Sequence, residues 1–222
     1  LFTPESLNSI FLNKNLKPYN RDLNKAKAYL KKSGFYTDKK GALYDKDGHR
    51  VEFDLYTNAG NTEREAIGVM VKQDLEDLGM KVNFKPIEFN SLVNKLVSTF
   101  DWDMVIMGLT GSPLEPNGGK NVWMSDGRLH MFNMRTPKEG KAKILPWEKE
   151  LDEMYIKGAL ATTFSERKKY YDRYQEIVYK EKPMIYIYSP IIITAIRNKF
   201  KNIYPSPLSG VTYNIEEIYI GK

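Results

Sequence analysis

The sequence predicts an α/β fold, one lobe built on a mixed, mostly parallel sheet flanked by helices, and three observations carry that prediction. Residues 61–79 have helical spacing between clear start and stop signals, segments 51–55 and 81–87 on either side read as strands, and Asp103-Met104-Val105-Ile106-Met107 is almost wholly apolar. A helix between two strands implies that the strands run parallel with a right-handed crossover. An apolar strand is what a sheet covered on both faces requires.

Taken in order, Asp22 stands where it can cap a helix whose Leu23, Ala26 and Leu30 share one face and which stops at Ser33-Gly34. Tyr44-Asp45-Lys46-Asp47-Gly48-His49-Arg50 reads as a hairpin turn feeding a strand at Val51-Glu52-Phe53-Asp54-Leu55. Thr62 and Glu65 have capping-box spacing, Ile67, Met70, Val71, Leu75 and Leu78 recur at helical intervals, and Gly79 sits where a left-handed terminal residue is favoured. Lys81 to Ile87 alternates with period two. A short helix and the apolar strand follow, and the strand empties into Gly108-Leu109-Thr110-Gly111-Ser112-Pro113. In open α/β sheets ligands bind beyond the carboxyl ends of the strands. The loop therefore reads either as a ligand loop or as a plain glycine-rich connection.

Between Ser112 and Trp147 lies a long irregular insert rich in Gly, Pro, Asn and Met, with Trp123 and Phe132 supplying aromatic surface for ordered packing. Pro146-Trp147-Glu148 opens a helix carrying Leu151, Met154 and Tyr155, and Ser165 is placed to cap another with Tyr171, Tyr174, Ile177 and Val178 on one side. A tyrosine stripe at that spacing lines a core. From Pro183 onward the chain reads as strand-rich, through Ile185, Ile187, Ile191, Ile193 and Ala195 to a short terminal strand around Ile218-Tyr219-Ile220. The apolar run Met184 to Ile196 is broken by Ser189-Pro190 and falls short of the roughly 20 residues a membrane helix needs, so it reads as core strands.

Several function classes fit the residues poorly. The absence of cysteine removes disulfides and thiolate metal sites, and two histidines are too few for an all-histidine zinc site, so no metal and no cofactor is expected. The net charge of +6 is spread among 28 acidic residues as mixed-sign helix surface, as in Asp22 to Lys32 and Ser165 to Lys182, which argues against nucleic acid as a partner. Asp45 and Asp47 begin like a calcium loop, but Gly48 arrives too early and a third oxygen ligand is missing. Gly119-Lys120 fails as a phosphate loop, because Leu114 stands where the first glycine belongs and Asn121 where a hydroxyl is needed. Asp101 and Asp103 share one side of a strand and admit two readings, paired acids or polar edge residues, with the second favoured. His130 has no serine, cysteine and carboxylate set near it in sequence. Catalysis is not expected.

Four groups of residues resemble a known family in its order along the chain: Tyr19 to Ala26 (YNRDLNKA), Leu75 to Lys81 (LEDLGMK), Thr99-Phe100-Asp101 with Gly108, and Ser165 to Pro183 (SERKKYYDRYQEIVYKEKP). Together they are similar to the C-terminal lobe of the extracytoplasmic solute-binding proteins of peptide-type ABC importers, the oligopeptide, dipeptide and nickel-binding class. The resemblance implies one lobe of a periplasmic-binding-protein-like clamp of type II, with residues 1–21 as a lead-in from the N-terminal lobe, 22–195 as the C-terminal ligand-binding lobe, and 196–222 as a tail returning toward the other lobe. It implies solute capture, of oligopeptides first, and delivery to a membrane permease. The alternatives are a non-peptide solute (a sugar, an opine or a metal chelate) or a peptide sensor or chaperone outside transport.

For the ligand, the resemblance directs attention to Leu109, Thr110, Gly111 and Ser112, whose backbone and hydroxyl groups would face the solute, with Glu115, Asn121, Trp123 and His130 closing the pocket. Trp123 reads equally well as a core anchor for the long loop. In the peptide binders of this family an aspartate before the acidic-proline pair holds the ligand's amino terminus, whereas here the matching residue is Ser112, ahead of Glu115-Pro116. Losing a charge-assisted partner of that kind costs an amine about 1.5–3 kcal/mol. Glu115 could replace it by reaching inward. The chain opens on Leu1-Phe2-Thr3-Pro4 with neither an initiator Met nor a signal peptide, and is read as a fragment of an exported chain that touches the membrane only through a lipid anchor of its parent.

Overall fold

Strands form in this chain where period-two or β-branched runs meet a helix that can cover them. In the computed structural model, which describes residues 3–109, 114–133, 143–191, 193–206 and 209–221, they do so chiefly in one of two units. An α/β unit comprises Tyr19–Leu109 with Asn133–Lys143, and a helical unit comprises Leu1–Pro18, Thr110–Phe132 and Ile144–Lys222.

The α/β unit begins with α1, Leu23–Lys32, capped by the Asp22 carboxylate, which accepts the Lys25 amide at 2.9 Å. A short antiparallel pair, β1 (Tyr36–Thr37) and β2 (Leu43–Tyr44), follows, and a bridge from Tyr44 to Arg50 closes the hairpin turn that leads into β3, Glu52–Asn58. The Asp45 carboxylate is spent inside that turn, where one oxygen accepts the Asp47 and His49 amides. Helix α2, Thr62–Glu76, then leads to β4, Lys81–Ile87, which lies parallel to β3 in the register Leu55 opposite Phe84. After α3, Phe89–Asn94, and a turn of π-helix over Lys95–Thr99, strand β5, Met104–Val105, pairs parallel with the other side of β3. The strand order is therefore β4-β3-β5. Leu55, Val82 and Ile106 are buried beneath Ile67, Val71 and Leu75 of α2, an aliphatic core of the kind expected where a helix covers a parallel sheet.

The cap of α2 differs from the sequence expectation. Asn61, whose backbone is extended, is the capping residue and accepts the Arg64 amide at 2.9 Å. Glu65 reaches back to the Gly60 amide at 2.8 Å. The capping box is thus shifted by one residue on its N-terminal side, because Thr62 has already entered the helix.

The helical unit is organised by aromatic side chains. Helix α4, Lys120–Trp123, is a single turn that drops Trp123 into a core shared with α5, Pro146–Leu160, and α6, Phe164–Glu181. Tyr155, Tyr171 and Tyr174 meet edge to face, with Tyr155 and Tyr174 ring centroids 5.0 Å apart, the geometry that aromatic quadrupoles favour. The stripe read from the sequence, Tyr171, Tyr174, Ile177 and Val178, is fully buried. Thr163 rather than Ser165 caps α6, accepting the Glu166 amide. Gln175, also buried, fastens the opening segment to α6, accepting from the Asn13 amide at 2.9 Å and donating to the Phe11 carbonyl at 2.8 Å. Glu5 lies in the same core, receiving the Tyr174 hydroxyl at 3.2 Å. Burial raises its carboxyl to about 7 despite that hydrogen bond and one from Ser9.

The tail corrects a further expectation. Apart from the short antiparallel pair β6, Phe200–Lys201, and β7, Tyr219–Ile220, the described residues after Pro183 form no strand. In the run read as core strands, Met184 and Tyr186 pack against the aromatic core, but the described residues beyond them are open to solvent, with Ile191 and Ile193 both 88% exposed. Its side-chain pattern suits a strand, but among the described residues no neighbouring strand completes a ladder with it.

Candidate functional site

Because β3, β4 and β5 are parallel, their carboxyl ends lie along one edge of the sheet. Two interactions set that edge. The Ile106 amide donates to the Tyr56 carbonyl at 2.8 Å, extending the β3–β5 pairing past Val105, and the Thr57 hydroxyl donates to the Ile106 carbonyl at 3.0 Å. The chain leaves the sheet at Gly108 and Leu109, the latter 42% exposed. Thr110, Gly111 and Ser112 lie outside the described residues.

At this edge the side chains of Asn58, the last residue of β3, and Arg64, in the first turn of α2, come together. Arg64 Nη1 donates to Asn58 Oδ1 at 2.7 Å. Its other terminal nitrogen lies against Gly108, where an added Cβ would stand only 2.5 Å from Nη2. Neither residue was prominent in the sequence pattern. The available signal was an arginine in the first turn of a helix, where the macrodipole disfavours a cation.

On the same sheet, Asp54 accepts Lys85 Nζ at 2.6 Å and the Tyr56 hydroxyl at 2.9 Å, and these bonds hold its carboxyl below the ordinary range. Asp103 accepts the Asp54 amide at 2.9 Å and Asp101 pairs with Lys95. The two aspartates weighed as paired acids are thus polar edge residues with separate partners.

The remaining expected ligand residues belong to the helical unit, and most are committed to packing there. Glu115 opens a short 3-10 turn, Pro116–Gly119, by accepting the Asn117 amide at 3.1 Å, and it also accepts the Tyr171 hydroxyl and pairs with Arg167. Burial opposes charge on Glu115, yet Arg167 and the Asn117 amide outweigh it and hold the carboxyl below its usual value. In this structure the Glu115 oxygens serve Asn117, Tyr171 and Arg167.

Trp123 is 4% exposed and packs on Phe132 and Tyr174, which makes it the core anchor. His130 is 2% exposed, with Nδ1 3.0 Å from the Val122 carbonyl and Nε2 3.1 Å from Glu148 Oε1. A carbonyl only accepts, so Nδ1 donates to Val122 and Nε2 is left facing the Glu148 carboxyl group. The other Glu148 oxygen accepts the Leu145 amide at 2.6 Å. His130 and Trp123 therefore pin the insert to α5 and α6 rather than face a cleft in this unit. Asn121 is exposed, accepts the Arg128 amide at 2.8 Å, and lines a shallow depression of about 290 Å³ with Lys120, Met124, Asp126, Gly127 and Arg128. Among the described residues no group of three acidic or histidine side chains is placed to hold a metal ion, and no helix is long and apolar enough to cross a membrane.

Comparison with known proteins gives this geometry a context. Residues 3–129 match the sequence profile described as bacterial extracellular solute-binding proteins, family 5 Middle. The oligopeptide-binding protein AppA of Bacillus subtilis strain 168 is 27% identical over 202 residues, which is 89% of this chain and 34% of that protein. The solved structure of AppA in complex with a nonapeptide superposes with a TM-score of 0.75 at 23% identity, over 100% of this chain and 42% of that one. The stachyose complex of the periplasmic binding protein MelB from Agrobacterium fabrum C58 gives 0.72 at 20% identity, over 81% and 28%. The chain thus spans well under half the length of these relatives.

Proposed function

From the premise that the chain belongs to the bacterial extracellular solute-binding proteins of family 5, whose profile it matches over residues 3–129, we propose that it is the C-terminal ligand-binding portion of a receptor that captures a solute, most readily an oligopeptide, and delivers it to an ABC-type importer. The observation that carries this reading is the strand-end edge of the α/β unit, where the chain leaves the sheet at Gly108 and Leu109 beside Asn58 and Arg64. Solutes bind at such edges because backbone amides and carbonyls freed at strand ends can be directed at a ligand. Leu109, Thr110, Gly111 and Ser112 are the solute contacts proposed.

Capture by a receptor of this kind is a population shift toward a closed form, so the solute must make contacts in that form which the open form lacks. The receptor works outside the cytoplasm, tethered by a lipid on the parent chain. In this reading residues 196–222 form the tail that returns toward the other lobe.

A second reading, a non-peptide solute, is favoured by one observation: the residue matching the amine-holding aspartate is Ser112, and Glu115 is already engaged by Arg167 and Tyr171. The two readings separate by mass spectrometry of the small molecules released on denaturing the full-length protein that carries this sequence, after a gentle native preparation. Peptides of mixed sequence are expected. A sugar, opine or chelate establishes the second reading, and an empty protein that also fails to bind added peptide removes both.

A further inference from the structure

The opening segment, residues 3–13, contains neither helix nor strand, and its first part turns polar side chains inward. Thr3, Glu5 and Ser9 are buried, at 2%, 6% and 6% exposure, while the apolar Leu7 between them is 56% exposed. Little apolar surface holds residues 3–9 in place, so their docking depends on polar contacts.

Two sets of contacts fasten the segment to α6, and they differ in kind. At Phe11 and Asn13, Gln175 accepts the Asn13 amide at 2.9 Å and donates to the Phe11 carbonyl at 2.8 Å, and the Phe11 ring meets Tyr171 edge to face at 5.3 Å. None of these contacts changes charge across neutral pH. Ahead of them, the Glu5 carboxyl accepts the Tyr174 hydroxyl at 3.2 Å and the Ser9 hydroxyl at 3.4 Å, and the Ser9 oxygen in turn accepts the Phe11 amide at 3.1 Å. This second set turns on one ionisable group.

The elements packed around Glu5 give it no counter-charge. Helix α6 contributes Tyr174, α5 Tyr155, the stretch after α6 Tyr186, and the opening segment Ser9, all of them neutral hydroxyls. Glu115 also acts on it and opposes its ionisation, but Glu115 is paired with Arg167 and bonded to Tyr171. Among the described residues no lysine or arginine forms an ion pair with Glu5. A buried carboxyl in such surroundings favours its protonated form.

We propose that Glu5 is a pH-sensitive latch: with its proton it docks residues 3–9 into the aromatic core of the helical unit, and on ionising it frees them while Gln175 keeps residues 11–13 in place. A carboxylate regains water only by leaving the core, so ionisation and release are coupled. Burial raises the docked carboxyl from 4.5 to about 7, so docking is strongest below 4.5 and weakens as pH rises through about 7. The latch stands on the helical unit alone. On the receptor reading above, these residues lead in from the other lobe, and their release would loosen the connection on which a closed form depends.

The test uses the full-length protein that carries this sequence, without solute, so its outcome does not depend on that reading. Hydrogen exchange, resolved to single amides and corrected for the pH dependence of the exchange chemistry itself, compares Ser9 and Asn13 at about pH 5 and about pH 8. The Ser9 amide donates to the Ser6 carbonyl and the Asn13 amide to Gln175, so the two report the two sets of contacts. Ser9 should lose about tenfold or more of its protection at the higher pH, with Asn13 and α6 still protected. Glu5→Gln, neutral throughout, should keep Ser9 protected at both values. Tyr174→Phe keeps the ring but removes a hydrogen bond that favours the charged carboxylate, so release should persist with its midpoint moved to higher pH.

Circular dichroism melts identify a variant that fails to fold, and the wild type with the remaining variant then decides the result. Ser9 protection that does not change with pH in the wild type, an undiminished pH step in folded Glu5→Gln, or a Tyr174→Phe midpoint that is unchanged or lowered overturns the latch. So does loss of Ser9 and Asn13 protection in step, since Glu5 would then set the stability of the whole unit rather than release one segment.

Discussion

The two units use their polar side chains in opposite ways. In the α/β unit the core is aliphatic, Leu55, Val82 and Ile106 under α2, and the polar groups stand at the rim of the sheet, where Arg64 is oriented but unpaired. In the helical unit the core itself is polar and aromatic: His130, Glu148, Gln175 and Glu5 are buried with its aromatic side chains and bonded to one another, to backbone or, for Glu5, to the Tyr174 and Ser9 hydroxyls. A parallel sheet covered by a helix closes its own backbone hydrogen bonds and can leave edge residues free for a ligand. An irregular insert cannot, and its backbone must be tied down by side chains. Glu115, Trp123 and His130 are consumed in that task.

The contrast predicts its own largest failure. His130→Ala should leave Glu148 buried without its ring partner and free the Val122 carbonyl, costing about 3–5 kcal/mol from the cavity left by a large buried ring together with the polar groups left unpaired. Urea unfolding monitored by tryptophan fluorescence reads this directly, since Trp123 lies in the affected core. A loss under about 1 kcal/mol would mean that the insert is not held by its buried side chains.

Glu5 sharpens the same point through pH. The folded protein holds the Glu5 proton up to about pH 7, against an ordinary value of 4.5 for the unfolded chain. A raised carboxyl of this kind stabilises the fold fully below the unfolded value, and the stability is lost as pH rises through the folded one. The helical unit should therefore weaken between pH 4.5 and 7 and level off above, by on the order of 3 kcal/mol in all. The groups facing Glu5 are Tyr174, Ser9, Tyr155, Tyr186 and Glu115, and Arg167 neutralises the last of these. Glu5→Gln keeps the hydrogen-bonding shape and should flatten the profile. A melt that rises over this range would contradict a protonated Glu5 in the folded state.

In the α/β unit the corresponding weak point is backbone rather than side chain. Gly79 has φ +91°, and a Cβ there would stand 2.4 Å from the Gly41 carbonyl oxygen. Gly79→Ala should cost about 2 kcal/mol from the left-handed strain together with the displaced hairpin. Chemical denaturation reads the cost.

These cases show where a sequence speaks plainly. Asp22, Gly79 and the alternation from Lys81 to Ile87 act within a few residues of themselves, so the helix ends and the central strands were legible. The tyrosine stripe of α6 was legible because one helix face repeats. The chemical fate of His130 was not, since its partner Glu148 is 18 positions away and meets it only through the folded insert. Arg64 was missed for a related reason: its meaning depends on Gly108 and Asn58, which the β3–β5 pairing brings together. The isoleucines after Pro183 carried a correct local preference for extension, but a strand needs a neighbour that composition cannot supply.

The smallest expected effect concerns the lead into α1. Arg21 forms a bidentate pair with Asp74 of α2, Nη2 to Oδ1 at 2.6 Å and Nε to Oδ2 at 3.1 Å, and so ties the lead-in of the first helix to the second. Both side chains are largely exposed, at 61% and 45%. Water and salt screen such a pair, so Arg21→Ala should lower the melting temperature only slightly, and the effect should shrink as salt is added.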